Sequence, residues 1–213
     1  GKQSGYGKLR GIDVPALVRE LHSHGIRVLG STIIGLEQHT PENIDEAIDY
    51  AVGCETDFHQ FMLYTPLAGT PLHAELTAQG RMKDQHEFHP GDIHGQYIFN
   101  YRHPHIPDGQ EAELLVRAFQ RDFQINGPSI ARIVRTTLAG WRRYQHHPDP
   151  RIGRRFAWES RKLATTYSAA LWAMARYYRG VPRMWQRLSG LLCELHQQFG
   201  WKSRLYATLG GPY

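Results

Sequence analysis

Between Asp13 and Gly80, runs of apolar residues predict alternating helices and strands. Asp13 can cap a helix whose apolar side chains share one face, and Gly25 supplies a left-handed stop. The stretch from Ile26 to Gly35 is almost continuously apolar, which is typical of a strand in a parallel sheet covered on both faces. A second strand is predicted at 58–64.

Two cap signals predict the helices that follow these strands. Thr40-Pro41 and Thr70-Pro71 each place a capping hydroxyl before a first-turn proline, and Gly53 and Gly80 stand where the helices should end. Two strands joined by a helix form a βαβ unit, in which the strands are parallel. Ligands of such sheets bind at the carboxyl edge of the strands, which here means residues 35–39 and 64–70.

The second half of the chain reads as helices, predicted at about 110–125, 128–145, 155–179 and 182–199. Charge also changes along the chain. Residues 1–127 hold 10 Lys and Arg against 17 Asp and Glu, whereas residues 128–213 hold 15 against 3. We therefore predict two domains, residues 1–108 and a basic helical domain at 109–213.

Arginines interleaved with Trp and Tyr in this second half allow three interpretations. The arginines could bind phosphates of a nucleic acid, lie on an anionic membrane, or pair with the acidic half of the chain. Pairing is the favoured interpretation and nucleic-acid binding the least favoured, because charge on helices is usually a solvated or domain-facing surface. The residues are Arg132, Arg135, Arg142, Arg143, Arg151, Arg154, Arg155 and Arg161.

Histidines cluster in a predicted loop at 86–105. The members are His86, His89, His94, His103 and His105. Their spacing is irregular and the stretch is rich in Pro and Gly, so no metal site is predicted. The favoured interpretation is a surface loop between the domains. A lid over an active site is the alternative, with Tyr97, Tyr101 and His103 as substrate-side groups.

Three phrases in the first half carry a resemblance to a known family. They are Gly30-Ser31 through Gly35-Leu36, Thr40-Pro41-Glu42, and Thr65-Pro66 through Gly69-Thr70-Pro71-Leu72. Together they resemble the barrel of radical S-adenosylmethionine (radical SAM) enzymes, in a subgroup that often carries a cobalamin-binding domain. The resemblance covers roughly residues 5–130. It implies an α/β fold, part of a TIM-type barrel containing the βαβ unit, followed by the mostly α-helical C-terminal domain.

The resemblance also implies a cofactor site. The family's fifth strand carries Gly-x-Ile-x-Gly-x-x-Glu, and this chain reads Ser31-x-Ile33-x-Gly35-x-x-Gln38, which departs at two of the four places. By this resemblance, Ile33, Ile34 and Gly35 lie against the adenosyl group, and Gln38 stands where the glutamate is expected. Tyr64, Thr65 and Pro66 complete the nucleoside side. No catalytic acid, base or nucleophile is evident.

Cysteine content limits what the chain does alone. The family holds a [4Fe–4S] cluster on Cys-x3-Cys-x2-Cys, whereas this chain has only Cys54 and Cys193. We therefore expect an inactive C-terminal piece of an enzyme whose N-terminal part holds the cluster. The expected location is cytoplasmic, with membrane association as the alternative. The resemblance implies cleavage of S-adenosylmethionine to methionine and a 5′-deoxyadenosyl radical. The substrate would be a small molecule or a lipid, and cobalamin-dependent methylation is an option. The alternative is a basic binding module that contacts RNA or an anionic membrane.

Overall fold

The computed structural model describes residues 11–84, 86–87, 92 and 97–209. Helices make up 62 % and strands 7 % of these residues. The strands are β1 (Leu29–Ile34) and β2 (Phe58–Leu63). The α-helices are α1 (Val14–Ser23), α2 (Ile44–Gly53), α3 (Pro71–Ala78), α4 (Glu111–Asn126), α5 (Ser129–Tyr144), α6 (Pro150–Ser160), α7 (Ser168–Tyr177) and α8 (Pro182–Leu209).

The two strands pair in parallel and are connected through α2. Leu29 lies opposite Phe58, and Ile34 lies opposite Leu63. The strand positions and the parallel pairing therefore agree with the sequence pattern. The start of α2 does not, because Asn43 rather than Thr40 precedes its first residue, Ile44. Thr40 instead donates its backbone N–H to the Asn43 side chain.

The expected part of a TIM-type barrel is wrong. In the described part of the chain the sheet has two strands. After α3, the described backbone adds an isolated antiparallel bridge between Met82 and Tyr101. The expected cover on both faces of β1 is also wrong, since Leu29 is 65 % exposed and Ile34 is the buried residue of this strand. Packed helices, and not neighbouring strands, cover the faces of a parallel sheet, and the described helices leave Leu29 largely uncovered.

Contacts divide the chain into two units, and the first of them, residues 29–125, is called the α/β unit. Its core joins side chains of both strands, α2, α3 and α4 with the segment that follows α3. Phe99 and Tyr101 of that segment are fully buried. The core residues are Ile34, Ile44, Ile48, Ala51, Val52, Phe61, Leu63, Leu76, Phe99, Tyr101, Ile106, Leu114, Leu115 and Ala118.

The second unit, called the helical unit, comprises residues 11–28 and 126–209 of the described chain. Within it α1 packs on α5 through Gly25 and Gly140, where a Cβ on Gly140 would come within 2.8 Å of the Gly25 Cα atom. The helices α5, α7 and α8 enclose a core that includes Val134, Leu171 and Leu188. Contacts thus group α1 with the C-terminal helices, whereas the sequence-based division at residue 108 places it with the strands.

Three features of the helical unit differ from the predicted helix limits. α6 begins at Pro150 rather than 155, because the Asp149 side chain accepts from the Arg151 N–H at 2.8 Å and caps it. A π-helical segment, Leu163–Tyr167, separates α6 from α7. α8 extends to Leu209 with a kink at Gly200, whose φ is 59°.

Among the described residues, no helix combines the length and the apolar character needed to cross a membrane.

Candidate functional site

The carboxyl ends of β1 and β2 lie next to each other. The Tyr64 N–H donates to the Ile34 carbonyl at 2.7 Å, directly beyond the last paired residues of the two strands. The turns at 35–39 and 64–70 therefore leave the sheet at the same edge, as the sequence pattern predicts. Parallel sheets bind ligands at this edge.

Gly35 ends β1 in a conformation that few other residues adopt. Its φ is 80°, and a Cβ atom there would meet the Phe99 ring at 2.3 Å. Its N–H donates to His39 Nδ1 at 3.1 Å, and its carbonyl accepts from the Tyr101 hydroxyl at 3.1 Å. Both backbone polar groups of Gly35 and one face of its Cα atom are therefore occupied by neighbouring residues of this chain.

His39 organises the turn after β1. Its Nδ1 accepts from the N–H groups of Gly35 and Leu36, at 3.1 and 3.2 Å. An accepting Nδ1 carries no proton, so the neutral ring has its proton on Nε2. Burial, with a smaller contribution from nearby His103, lowers the pKa of His39. The neutral ring is thus the form that this turn requires.

His103 lies against the same turn from the segment that follows α3. Its Nε2 donates to the Leu36 carbonyl at 3.1 Å, while its Nδ1 accepts from the N–H groups of His105 and Ile106. Burial lowers the pKa of His103, and the ring stacks on Phe99 with centroids 5.3 Å apart. His103 is therefore also held as a neutral ring, with its proton on Nε2.

Tyr101 completes a group that we call the strand-end cluster, defined as Gly35, His39, Phe99, Tyr101 and His103. Burial raises the pKa of the Tyr101 hydroxyl, which keeps it protonated as the donor to Gly35. The cluster closes the edge at β1 with aromatic rings and neutral imidazoles. It offers a rigid wall and no charged catalytic group.

The structure places the predicted cofactor-site residues in three kinds of environment. Ile34, Gly35 and Pro66 are buried, and Gln38 is exposed. Ile33, Tyr64 and Thr65 are partly buried. All seven therefore lie at or beside the strand ends, but only four of them have exposed surface.

The turn after β2 is tied to the same segment that covers Gly35. The Asn100 side-chain amide donates to the Pro66 carbonyl at 3.1 Å. The Asn100 Oδ1 atom is buried and has no hydrogen-bond partner among the described residues. Asn100 was not singled out by its sequence, because a lone Asn in a loop carries no recognisable signal.

A charged cavity of about 490 Å³ lies elsewhere in the α/β unit and is lined by Lys83, Tyr97 and Glu111 among others. Lys83 Nζ lies 2.9 Å from Asp108 Oδ1 and 3.8 Å from Glu111 Oε1. The Glu111 carboxylate also accepts from the backbone N–H groups of Phe99 and Gly109. These bonds satisfy the charges internally, so the residues anchor the segment before α4. Sequence reasoning missed Lys83 and Glu111.

The predicted substrate-side groups and histidines do not form one site. Tyr97 is exposed, while Tyr101 and His103 belong to the closed strand-end cluster. His86 and His105 are exposed, and His89 and His94 lie outside the described residues. In the described part of the chain, no three His, Cys, Asp or Glu side chains are placed to hold a metal ion.

The arginines predicted as a basic face are largely engaged within the helical unit. Arg142 pairs with Glu194, Arg155 with Glu159, and Arg151 with Asp149. Other arginines of this set pack on their own helices. Arg132 is 4 % exposed, Arg154 donates to the Pro150 carbonyl, and Arg161 stacks 3.7 Å from the centre of the Trp158 ring. Ion pairs or local contacts therefore involve at least six of the eight arginines of this set.

A serine–histidine cluster also occurs in the helical unit. Ser203 Oγ lies 2.6 Å from Ser168 Oγ and 2.9 Å from His196 Nδ1. Ser168 donates to the Leu163 carbonyl within the π-helical segment at 2.8 Å. Both serines are fully buried. A nucleophile must reach its substrate, so this cluster joins α7 to the last turns of α8 and is no catalytic dyad.

Comparison with protein-family models, curated proteins and solved structures found no match to this chain.

The described residues cannot hold the cluster that the resemblance implies, and they leave a nucleoside no access to the Gly35 backbone. A [4Fe–4S] cluster needs three cysteine ligands, and Cys54 and Cys193 lie in different units. A nucleoside could not approach the backbone of Gly35, because Phe99, Tyr101 and His39 already occupy it.

Proposed function

We propose that this chain is the C-terminal part of a cytoplasmic radical SAM enzyme whose cluster is held by a preceding part of the same polypeptide. The supporting observation is that two of the three phrases resembling the family, at 30–36 and 65–72, lie at the adjacent carboxyl ends of the two strands of a parallel βαβ unit. Any parallel βαβ unit brings its two strand ends to one edge, so the support that is specific to the family comes from the residues of the phrases at those ends.

In this proposal the chain contributes a wall and no redox chemistry. The strand-end cluster is the rigid backing, since its polar groups are satisfied within the chain. Contact with the nucleoside falls to the residues with exposed surface, namely Ile33, Gln38, Tyr64 and Thr65. Of these, Gln38 is the exposed side chain with both donor and acceptor atoms. If the parent also carries a cobalamin-binding domain, the proposed reaction is cobalamin-dependent methylation of a small molecule or a lipid.

The test uses the complete open reading frame that encodes this chain, expressed anaerobically and reconstituted with iron and sulfide. We expect 5′-deoxyadenosine to form from S-adenosylmethionine under reduction. Gln38→Ala should raise the KM for S-adenosylmethionine roughly fivefold, the size expected for one lost hydrogen bond. Gln124→Ala removes an equally polar, exposed side chain from α4 and serves as the control.

Two outcomes would overturn the proposal. One is a fully reconstituted parent that forms no 5′-deoxyadenosine. The other is equal KM values for the Gln38 and Gln124 variants, which would remove the strand-end edge of this chain from the binding site.

A further inference from the structure

The connection between α7 and α8 presents large apolar side chains to solvent. Tyr177, Val181 and Trp185 are 79 %, 51 % and 46 % exposed. Three exposed arginines, Arg176, Arg179 and Arg183, alternate with them along the chain. We call these six residues, which span the connection from the end of α7 to the first turn of α8, the turn surface.

The turn surface is held by a well-packed hairpin of helices. A short 3-10 helix, Tyr178–Gly180, follows α7, and the Val181 N–H donates to the Tyr178 carbonyl at 2.8 Å. Pro182 then opens α8. Inside the hairpin, Met184 and Leu188 enter the core of the helical unit. The same turn that buries these residues therefore leaves Tyr177, Val181 and Trp185 facing solvent.

The turn surface carries uncompensated positive charge. Between positions 160 and 193 the sequence contains no Asp or Glu. The acidic residues of the described helical unit are Asp13, Glu20, Asp149, Glu159 and Glu194. Asp13 caps α1, Glu20 contacts His24, and the other three pair with arginines outside this turn. Among the described residues no ion pair includes the three arginines of the turn surface. Arg176 lies over the Trp172 ring, 5.5 Å from its centre.

We propose that the turn surface binds peripherally to a bilayer that contains anionic lipids. Tyr and Trp rings favour the headgroup level, arginines favour lipid phosphates, and Val181 with Pro182 can enter the acyl boundary at the apex. A second copy of the chain is a poor partner, because a symmetric contact would bring like charges together. RNA would suit the rings and arginines but not the aliphatic apex, which offers no hydrogen bond.

This proposal does not depend on radical SAM chemistry. It also differs from the membrane interpretation of the sequence, which used arginines at 132–161. At least six of those eight arginines form an ion pair or a local contact, whereas the arginines of the turn surface form no ion pair within the described part of the chain.

The test is flotation of the full 213-residue chain with vesicles of phosphatidylcholine alone or with about one third phosphatidylglycerol. We expect binding to the anionic vesicles and a fall in binding as salt rises. Each arginine near an anionic surface strengthens binding roughly fivefold, so Arg179→Gln/Arg183→Gln should weaken it roughly 25-fold. Trp185→Ser should weaken it roughly tenfold by removing apolar contact.

Trp201→Ser is the matched control, because Trp201 is 74 % exposed at the other end of α8 and lies outside the turn surface. It should leave vesicle binding unchanged. Far-UV circular dichroism establishes that each variant is folded. If Trp185→Ser does not fold, quenching of tryptophan fluorescence by brominated lipid takes the place of flotation of that variant. Trp185→Phe should then lose most of the quenching while Trp201→Phe keeps it.

Four results would overturn the proposal. They are absence of binding to anionic vesicles, equal binding to neutral vesicles, equal losses in the Trp185 and Trp201 variants, and RNA binding in gel shifts that depends on the turn arginines while vesicle binding does not.

Discussion

Replacing Gly35 with alanine tests whether the strand-end cluster is closed as tightly as the structure indicates. Two costs apply at this position. Alanine at a φ of 80° costs about 1–2 kcal/mol of backbone strain. Its Cβ would also lie 2.3 Å from the Phe99 Cζ atom, and overpacking of a filled core costs about 1–3 kcal/mol more. The expected destabilisation is therefore about 2–5 kcal/mol.

Gly69 supplies a control in the same unit. Its φ is 84°, nearly that of Gly35, but no atom lies within 4 Å of a Cβ built there. Gly69→Ala should therefore show only the backbone strain, about 1–2 kcal/mol. The difference between the two variants measures the overlap with Phe99. Phe99→Leu should cost less in the Gly35→Ala background than in the wild type, since the two changes share one contact.

The assay must report on the α/β unit. All five tryptophans lie between 141 and 201, so tryptophan fluorescence follows the helical unit. Amide hydrogen exchange of β1 and β2 across a urea series gives the opening free energy of the strands themselves. Equal losses in Gly35→Ala and Gly69→Ala would refute the close contact with Phe99, and with it the closed edge.

Two further predictions concern buried ionisable side chains. Because burial lowers the pKa values of His39 and His103, the unfolded chain binds protons below about pH 6.5 that the folded chain excludes. Strand opening measured at pH 7.5, 6.5 and 5.5 should therefore become easier as pH falls, and a flat profile would contradict the neutral tautomers. Glu111→Gln replaces one acceptor of the Phe99 and Gly109 N–H groups with an amide nitrogen that cannot accept, while Lys83 keeps Asp108 at 2.9 Å. It should destabilise by about 1–3 kcal/mol in urea unfolding, whereas Asp45→Asn, from an exposed pair, should cost at most about 1 kcal/mol.

Local elements were predictable where one residue determines the backbone. Asp13 accepts from the Ala16 N–H and Thr70 from the His73 N–H, as the cap signals predict. Gly25 takes the left-handed conformation with a φ of 71°. These features depend on interactions within four residues. The same signal at Thr40-Pro41 did not mark a helix start, because Asn43 precedes α2, so a local signal does not determine every helix limit.

The closed strand edge was not predictable, because it depends on contacts across long separations in the chain. Tyr101 reaches Gly35 across 66 positions, and His103 reaches Leu36 across 67. Tyr101 and His103 attract attention as chemical groups, but only the tertiary structure shows that they fill the edge and do not face a substrate. The barrel prediction failed for a related reason. A βαβ pattern is compatible with any number of further strands in the sheet. Among the described residues, the sheet consists of the two strands of the βαβ unit alone.

The two proposals concern separate units and can fail separately. The enzymatic proposal depends on residues 30–72 of the α/β unit, and Gln38 tests it through the KM for S-adenosylmethionine. The membrane proposal depends on residues 176–185 of the helical unit, and Trp185 tests it through lipid binding. A parent that cleaves S-adenosylmethionine with an inert turn surface would confine function to the strand edge. If the chain binds anionic vesicles but the parent does not cleave S-adenosylmethionine, the function lies in the helical unit and the α/β unit serves as a scaffold. If both hold, an enzyme active at a bilayer has direct access to a lipid substrate, and vesicle-bound substrate should then be processed faster by the wild type than by Trp185→Ser.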